Sequence, residues 1–157
     1  ATFGKLKHRG PNIVTSLELD PAEMEKRNIH LQQKYAEIEE KEVRYEEIHC
    51  DDAEYLIVAF GSCARIAQKA MEEARAEGIK VGLLRPITLW PFPSKAIAER
   101  SRQVKGILTV ELNAGQMVED VRLAVECKVP VEYFGRLGGI VPDPDEVVTA
   151  LKEKIIK

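Results

Sequence analysis

Hydrophobic residues in this chain fall into short continuous runs, separated by stretches where they recur every third or fourth position. Tyr55–Phe60 (YLIVAF), Lys80–Arg85 (KVGLLR) and Gly106–Leu112 (GILTVEL) are apolar through their centres, as strands buried on both faces are. Val129–Phe134 (VPVEYF) predicts a further strand, and Val43–Cys50 (VRYEEIHC) alternates and is polar enough for a sheet edge. The helical spacing lies between these runs. Ala64–Glu77 puts Ile66, Ala67, Ala70, Met71 and Ala74 on one face, with Gly78 placed to end the helix. Ser94–Val104 turns Ile97, Ala98 and Val104 inward, and Gln116–Cys127 does the same with Met117, Val118, Val121, Ala124 and Val125. A last helix opens at Asp143-Pro144-Asp145-Glu146, a cap followed by proline and by acids that suit the helix dipole. Its Val147, Val148, Leu151 and Ile155 face the sheet.

Strands alternating with helices predict a mainly parallel sheet covered on both sides, a three-layer α/β/α fold with five strands. The first strand follows a helix that is not a crossover between parallel strands, so it is expected antiparallel at an edge. That preceding helix starts near Asp20, with Pro21 in its first position and Glu23 completing a capping-box pattern. Met24, Leu31, Tyr35 and Ile38 recur along it as a stripe that would dock on a neighbouring surface. Its other faces are charged: Asp20 to Glu47 holds nine acids and five bases, a net of −4. Residues 1–19 read as an arm carrying a small basic cluster, Lys5, Lys7, His8 and Arg9. The domain reading is therefore an arm and charged helix over 1–42 and an α/β domain over 43–157.

With 157 residues the chain is long enough to bury a sizeable core. A net charge of −3 gives no electrostatic case for nucleic acid. No apolar run approaches the roughly 20 residues of a membrane helix, and no signal peptide is visible. Cys50, Cys63 and Cys127 are few, odd in number and scattered, which fits a reducing cytoplasm better than a disulfide framework. They form no zinc or iron–sulfur pattern, nor do His8, His30 and His49 form a metal pattern. The chain begins at Ala1 rather than Met and is expected to be a piece of a longer product.

Ligands of open α/β sheets bind beyond the carboxyl ends of the strands, and four turns qualify. Gly61-Ser62-Cys63-Ala64-Arg65 could hold an anion on free N–H groups, or be a tight turn with Ser62 as N-cap. Cys63 there is either a thiol activated by the dipole or a packed one. Arg85 to Pro93 carries three prolines with Leu89, Trp90 and Phe92. Trp90 either plugs the local core or, with Phe92, anchors an interface. Glu111-Leu112-Asn113-Ala114-Gly115-Gln116 gathers a carboxylate and two carboxamides, fit to bind a polar ligand or to cap a helix and tie loops together. Gly135 to Gly139 sets Arg136 among three glycines, able to meet a carboxylate or phosphate or to contact another domain. No nucleophile–base pair, metal set or cluster ligation is evident, so the site expectation is no catalytic, cofactor-binding or metal residue. Ser62, Arg65, Arg85, Trp90, Phe92, Glu111, Asn113, Gln116 and Arg136 are the candidate interface or ligand positions.

Three stretches together resemble a known family: KVGLLRPITLWPFP from Lys80 to Pro93, VELNAGQMVEDVRLAV from Val110 to Val125, and YFGRLGG from Tyr133 to Gly139. The earlier NIVTSLELDP and KYAEIEEKEVRYEEI are similar too. The family is the 2-oxoacid:ferredoxin oxidoreductases, and the chain looks like the C-terminal domain of their alpha-type subunit, in the branch using 2-oxoisovalerate. The resemblance implies a transketolase C-terminal-like fold with the first of five strands antiparallel. It implies an anaerobic, multi-subunit, cytoplasmic enzyme turning a 2-oxoacid, coenzyme A and oxidised ferredoxin into acyl-CoA, carbon dioxide and reduced ferredoxin. Thiamine diphosphate, Mg2+ and iron–sulfur clusters would belong to the whole complex. The GDG…N segment that holds diphosphate and magnesium has no counterpart here, and neither does the family's catalytic glutamate, so the domain is expected to serve assembly. A free-standing anion- or nucleotide-binding module and a purely structural dimerisation domain are the competing readings.

Overall fold

The computed structural model describes residues 8, 10 and 17–156. Lys5, Lys7 and Arg9 of the basic arm lie outside the described residues. The chain divides into two compact units, one ending at Glu37 and the other running from Ile38.

The helix α1 (Pro21–Lys41) starts in the first unit and ends in the second. Asp20 caps it as expected, while the Glu23 carboxylate of the expected capping box takes Lys26 Nζ at 2.6 Å. Asp20 Oδ1 accepts from the Ala22 amide at 2.8 Å and from the Glu23 amide at 3.4 Å. Met24 and Leu31 of the predicted stripe are half-buried, and Tyr35 is exposed.

The second unit holds β1 (Tyr45–Ile48), β2 (Tyr55–Ala59), α2 (Gly61–Ala76), β3 (Val81–Pro86) and α3 (Ser94–Arg100). They are followed by β4 (Ile107–Glu111), α4 (Met117–Val125), β5 (Val131–Gly135) and α5 (Pro144–Leu151). The strands form one sheet in the order β1-β3-β2-β4-β5. All neighbours are parallel except β1, which pairs antiparallel with β3 from Tyr45↔Pro86 to Ile48↔Leu83. The five-stranded mixed sheet is the one the pattern predicts.

Why the central strands read as unbroken apolar runs is now plain. Ile57 and Ala59 of β2 point to the core under α2 and α5, while Leu56 and Val58 point to the core under α3 and α4. Each strand must be apolar on both faces because a helix layer covers each. The helix α2 closes in a Schellman arrangement: the Gly78 amide donates to Arg75 O at 2.9 Å and the Ile79 amide to Ala74 O at 3.0 Å. Arg75 then braces the turn before β2, meeting both Asp52 oxygens at 2.8 and 2.6 Å and Val81 O at 2.9 Å.

Boundaries shift where local chemistry intervenes. The first strand is shorter than Val43–Cys50, and its exposed acids reach back across the sheet. Glu46 takes Arg85 Nη1 at 2.8 Å, and Glu47 takes Arg100 Nε and Nη2 at 2.9 and 2.6 Å. The helix α3 stops at Arg100 rather than Val104. Beyond it, Ser101 Oγ donates back to Ala98 O at 2.7 Å, and Val104 is buried from the turn that follows. After Leu151 the chain widens into a π-helical turn over Lys152–Ile156.

Candidate functional site at the carboxyl ends of the strands

Strand order fixes where the loops meet. From β2 the chain crosses to β3 on one side, and from β3 it returns past β2 to β4 on the other. The carboxyl ends of β2 and β4 therefore flank the point where the winding reverses, the usual place for function in such sheets.

Glu111 ends β4 and is fully buried. Its carboxylate turns onto the first turn of α4, with Oε2 accepting from the amides of Met117 at 2.7 Å and Gln116 at 3.2 Å, and Oε1 from Val118 at 3.0 Å. These are among the donors that a helix start leaves without partners. Asn113 Oδ1 takes the amides of Gly115 at 2.8 Å and Gln116 at 3.1 Å. Tyr133, from β5, donates its hydroxyl to the Asn113 carbonyl. The main-chain oxygen of Glu111 accepts from the Arg136 amide at 3.3 Å, joining the loop after β5 to the same point. Gly135 is required here, since a Cβ would stand 2.8 Å from that Glu111 oxygen.

The start of α2 differs. Phe60 leaves β2 extended, Gly61 turns left-handed at φ 57°, and the helix begins with no side-chain cap. Ser62 is thus not the N-cap the sequence suggested. It sits in the first helical turn and is exposed, because glycine's freedom already makes the turn. Arg65 is exposed one step on. Cys63 is buried, and its thiol is pushed up from its ordinary value by burial and then by the charge of Glu111. A helix start favours a thiolate, but here desolvation and the nearby carboxylate win, and the thiol stays protonated. Tyr133 is pushed up by burial and then by Glu111. Cys50, buried with its thiol 3.4 Å from Leu83 O, rises to about 11 through burial and then the charge of Glu47.

After β3 the proline-rich loop is fastened to the start of β1. The Arg44 amide donates to Thr88 Oγ1 at 3.0 Å, Thr88 Oγ1 donates to Pro91 O at 2.8 Å, and the Ile87 amide donates to Arg44 O at 2.9 Å. The Trp90–Pro91 peptide is cis. Trp90 does not plug the core: it is 55% exposed, and Ile87 and Leu89 are exposed beside it. Phe92 instead turns inward against the core under α3 and α4. Leu112 after β4, and Leu137, Ile140 and Val141 after β5, are also exposed.

The structure thus gathers Glu111, Asn113, Gln116 and Arg136 into one knot. Ser62 and Arg65 stand at the neighbouring helix start, and Arg85, Trp90 and Phe92 lie toward the β1 side. Arg136 has a carboxylate within its own chain, Glu146 Oε1 at 3.1 Å from Nη2. Sequence reading passed over Tyr133 and Thr88 as individuals, although both lie inside the singled-out stretches; each hydroxyl acts on a main-chain carbonyl, which leaves no residue-type signal. Among the described residues no group of three or more His, Cys, Asp or Glu could hold a metal ion. The three free cysteines, two buried and one exposed, make no cluster donor set. These residues do not fit a thiamine-diphosphate magnesium site or an iron–sulfur cluster.

The geometry defines an α/β domain of the transketolase C-terminal type. A split-gene transketolase shares the fold with a TM-score of 0.61 at 22% identity, over 70% of this chain and 40% of that one. A 2-oxoglutarate:ferredoxin oxidoreductase from Magnetococcus marinus, solved with 2-oxoglutarate, coenzyme A and succinyl-CoA bound, superposes with a TM-score of 0.75 at 25% identity. It covers 87% of this chain and 24% of that one. Residues 53–147 match the family described as pyruvate:ferredoxin oxidoreductase core domain II. The ketoisovalerate oxidoreductase subunit VorB of Methanothermobacter thermautotrophicus is 51% identical over 90% of this chain, and that of Methanothermobacter marburgensis is 47% identical over the same share. The chain belongs to the 2-oxoacid:ferredoxin oxidoreductase family, as core domain II of an alpha-type subunit. It spans 40% of the length of these two relatives. No helix among the described residues is long and apolar enough to cross a membrane.

Proposed function

We propose that this chain is the assembly domain of a cytoplasmic ketoisovalerate:ferredoxin oxidoreductase. The whole enzyme would convert a branched-chain 2-oxoacid, coenzyme A and oxidised ferredoxin to acyl-CoA, carbon dioxide and reduced ferredoxin. Thiamine diphosphate, Mg2+ and iron–sulfur clusters would be held by other parts of the complex, since the donors described above fit none of them. The VorB relatives support the substrate class.

The observation that carries an assembly role is the outward loop after β3. Thr88 ties it to the start of β1, and it offers Trp90 with Ile87 and Leu89 to solvent. A rigid aromatic anchor with aliphatic neighbours is what protein interfaces use as a hot spot, because its ordering entropy is already spent. The test is Trp90→Ala in the full-length subunit mixed with its partner subunits. Association, read by sedimentation, is expected to weaken by at least about tenfold, the loss of an anchor worth 1.4 kcal/mol or more. Ferredoxin reduction with 2-oxoisovalerate should fall in step. A complex that assembles and turns over like the unaltered one would overturn the proposal.

The competing anion-binding reading rests on the uncapped start of α2 beside Ser62 and Arg65. Calorimetry with inorganic phosphate and with coenzyme A separates the two: heat lost in Arg65→Ala but kept in Trp90→Ala would favour binding over assembly.

A further inference from the structure

We propose that α1 is a self-pairing element, whose apolar stripe packs in parallel and in register against the same stripe on a second copy of the subunit. The proposal goes beyond the assembly reading and does not rest on it.

Two helices that wind about one another need seam residues spaced alternately four and three apart, because a period of 3.5 keeps the seam facing its partner. Met24, Asn28, Leu31, Tyr35 and Ile38 follow that alternation without a break. In heptad terms Met24, Leu31 and Ile38 hold the d places, and Asn28 and Tyr35 the a places. The helix runs 21 residues, all of them described, and none is buried. Met24, Leu31 and Ile38 are half-buried, and Asn28 and Tyr35 are exposed. Helices in folded proteins draw most of their stability from packing an apolar face. The folding of this chain leaves that face accessible, so a second chain is what can cover it.

The flanks of the seam select the partner. Arg27 and Lys34 each precede an a place, and Glu25, Gln32 and Glu39 each follow a d place. One flank is therefore basic, and the other is acidic or neutral. Two parallel copies set the basic flank of one against the other flank of its partner, with Lys34 facing Glu39 of the partner subunit. Antiparallel copies would set basic against basic and acid against acid. Arg27 also reaches Glu18 of its own chain at 3.7 Å, so Lys34 carries more of this preference. Asn28 favours the same arrangement. In parallel it meets Asn28 of the partner subunit, carboxamide to carboxamide, whereas in the antiparallel case it would face an apolar d side chain. A single polar residue at an a place fixes register and orientation in this way. A seam of five residues is short, so the pairing is weak and adds to contacts made elsewhere.

The test uses the full-length subunit without its partner subunits, so that it does not read the Trp90 contact. Met24→Cys, Lys26→Cys and Ile38→Cys are each combined with Cys127→Ala, which removes the exposed native thiol. Disulfide-linked dimers formed on mild oxidation are compared with those of the same subunit lacking the added cysteine. Met24→Cys and Ile38→Cys should each link to their own kind about tenfold faster or more than Lys26→Cys, which lies on the opposite side of the helix. By sedimentation, Leu31→Lys should weaken association by about tenfold or more. Lys34→Glu should weaken it too, and Glu39→Lys added to Lys34→Glu should restore it.

Links at Lys26→Cys as fast as those along the seam would mean random collision. Links that form only when Met24→Cys and Ile38→Cys copies are mixed would mean antiparallel pairing. No added links along the seam would mean that another part of the enzyme covers the stripe. Any of these, or unchanged sedimentation of Leu31→Lys, overturns the proposal. None of them touches the Trp90 reading, whose test needs the partner subunits.

Discussion

Helices α2 and α4 both begin where a central strand ends, one after β2 and the other after β4, and both bring first-turn N–H groups to the carboxyl end of the sheet. In α4 the first amides are taken by Glu111 and Asn113, and the carboxylate that takes them is out of solvent. In α2 no side chain caps the start, and Ser62 and Arg65 stand in solvent around it. The difference lies in the last residue of each strand. Ala59 ends β2 and carries nothing that could reach a helix, whereas Glu111 ends β4 with a side chain long enough to turn back on the next element. A buried carboxylate is costly unless every acceptor site is used. Here three charge-assisted bonds offset that cost, so the same term that would unfold an unpaired acid makes this junction rigid.

The largest effect expected is at Glu111. Glu111→Ala strands three amides and leaves a cavity, and should lower stability by on the order of 3 kcal/mol in urea unfolding. A loss below about 0.5 kcal/mol, the range of ordinary surface changes, would mean that water serves the α4 start as well as the carboxylate does. Gly135→Ala comes next. The new methyl would press on the Glu111 carbonyl and on Tyr133 and should cost about 1–3 kcal/mol, the range for overpacking. No loss would show that β5 gives way and that the knot is softer than drawn.

Cysteine chemistry sharpens the comparison from the α2 side. Burial and the Glu111 charge hold the Cys63 thiol protonated. Alkylation at neutral pH, read by mass spectrometry, should therefore mark exposed Cys127 first and leave Cys63 and Cys50 slow. Fast labelling of Cys63 would mean that the α2 dipole overrides burial. For Cys50 the pH direction follows from its rise from 9.0 to about 11. The folded state keeps a proton that the unfolded state gives up, so this contribution is complete below pH 9 and declines as pH rises toward 11. Cys50→Ala should flatten that decline. Ser62→Ala is the smallest effect: with no cap bond to lose, it should stay within about 0.5 kcal/mol, and a larger loss would assign Ser62 a partner.

Much of the fold was legible because its signals are local or periodic. The runs at 55–60, 80–85 and 106–112 could be apolar through their centres only if covered on both sides, and the caps at Asp20 and Gly78 act within a few residues of themselves. The stretch at Glu111 was legible as either a polar-ligand site or a helix cap tying loops together, and Trp90 as either a core plug or an interface anchor. The structure shows the cap and the exposed tryptophan, but the partners that decide between the readings were not readable. The partners of Glu111 are main-chain amides five to seven residues onward, and amides carry no residue identity. Its influence on Cys63 exists only because β2 and β4 are neighbours, a fact of strand order. For Trp90, three prolines announce a stiff loop without saying which way it faces. That direction is set by Thr88 reaching Arg44, 44 residues earlier in the chain.

The edge strand β1 has a consequence for how the protein behaves in crowded solution. A sheet with an open edge is a template on which another chain can add a strand, and long apolar edges drive runaway self-association. Here the edge is four residues long, and it puts Glu46 and Glu47 outward with their charges held in place by Arg85 and Arg100. An incoming strand would have to displace those ion pairs and then find almost no ladder to lengthen, so the same short acidic segment that completes the sheet on this side also keeps that edge from growing.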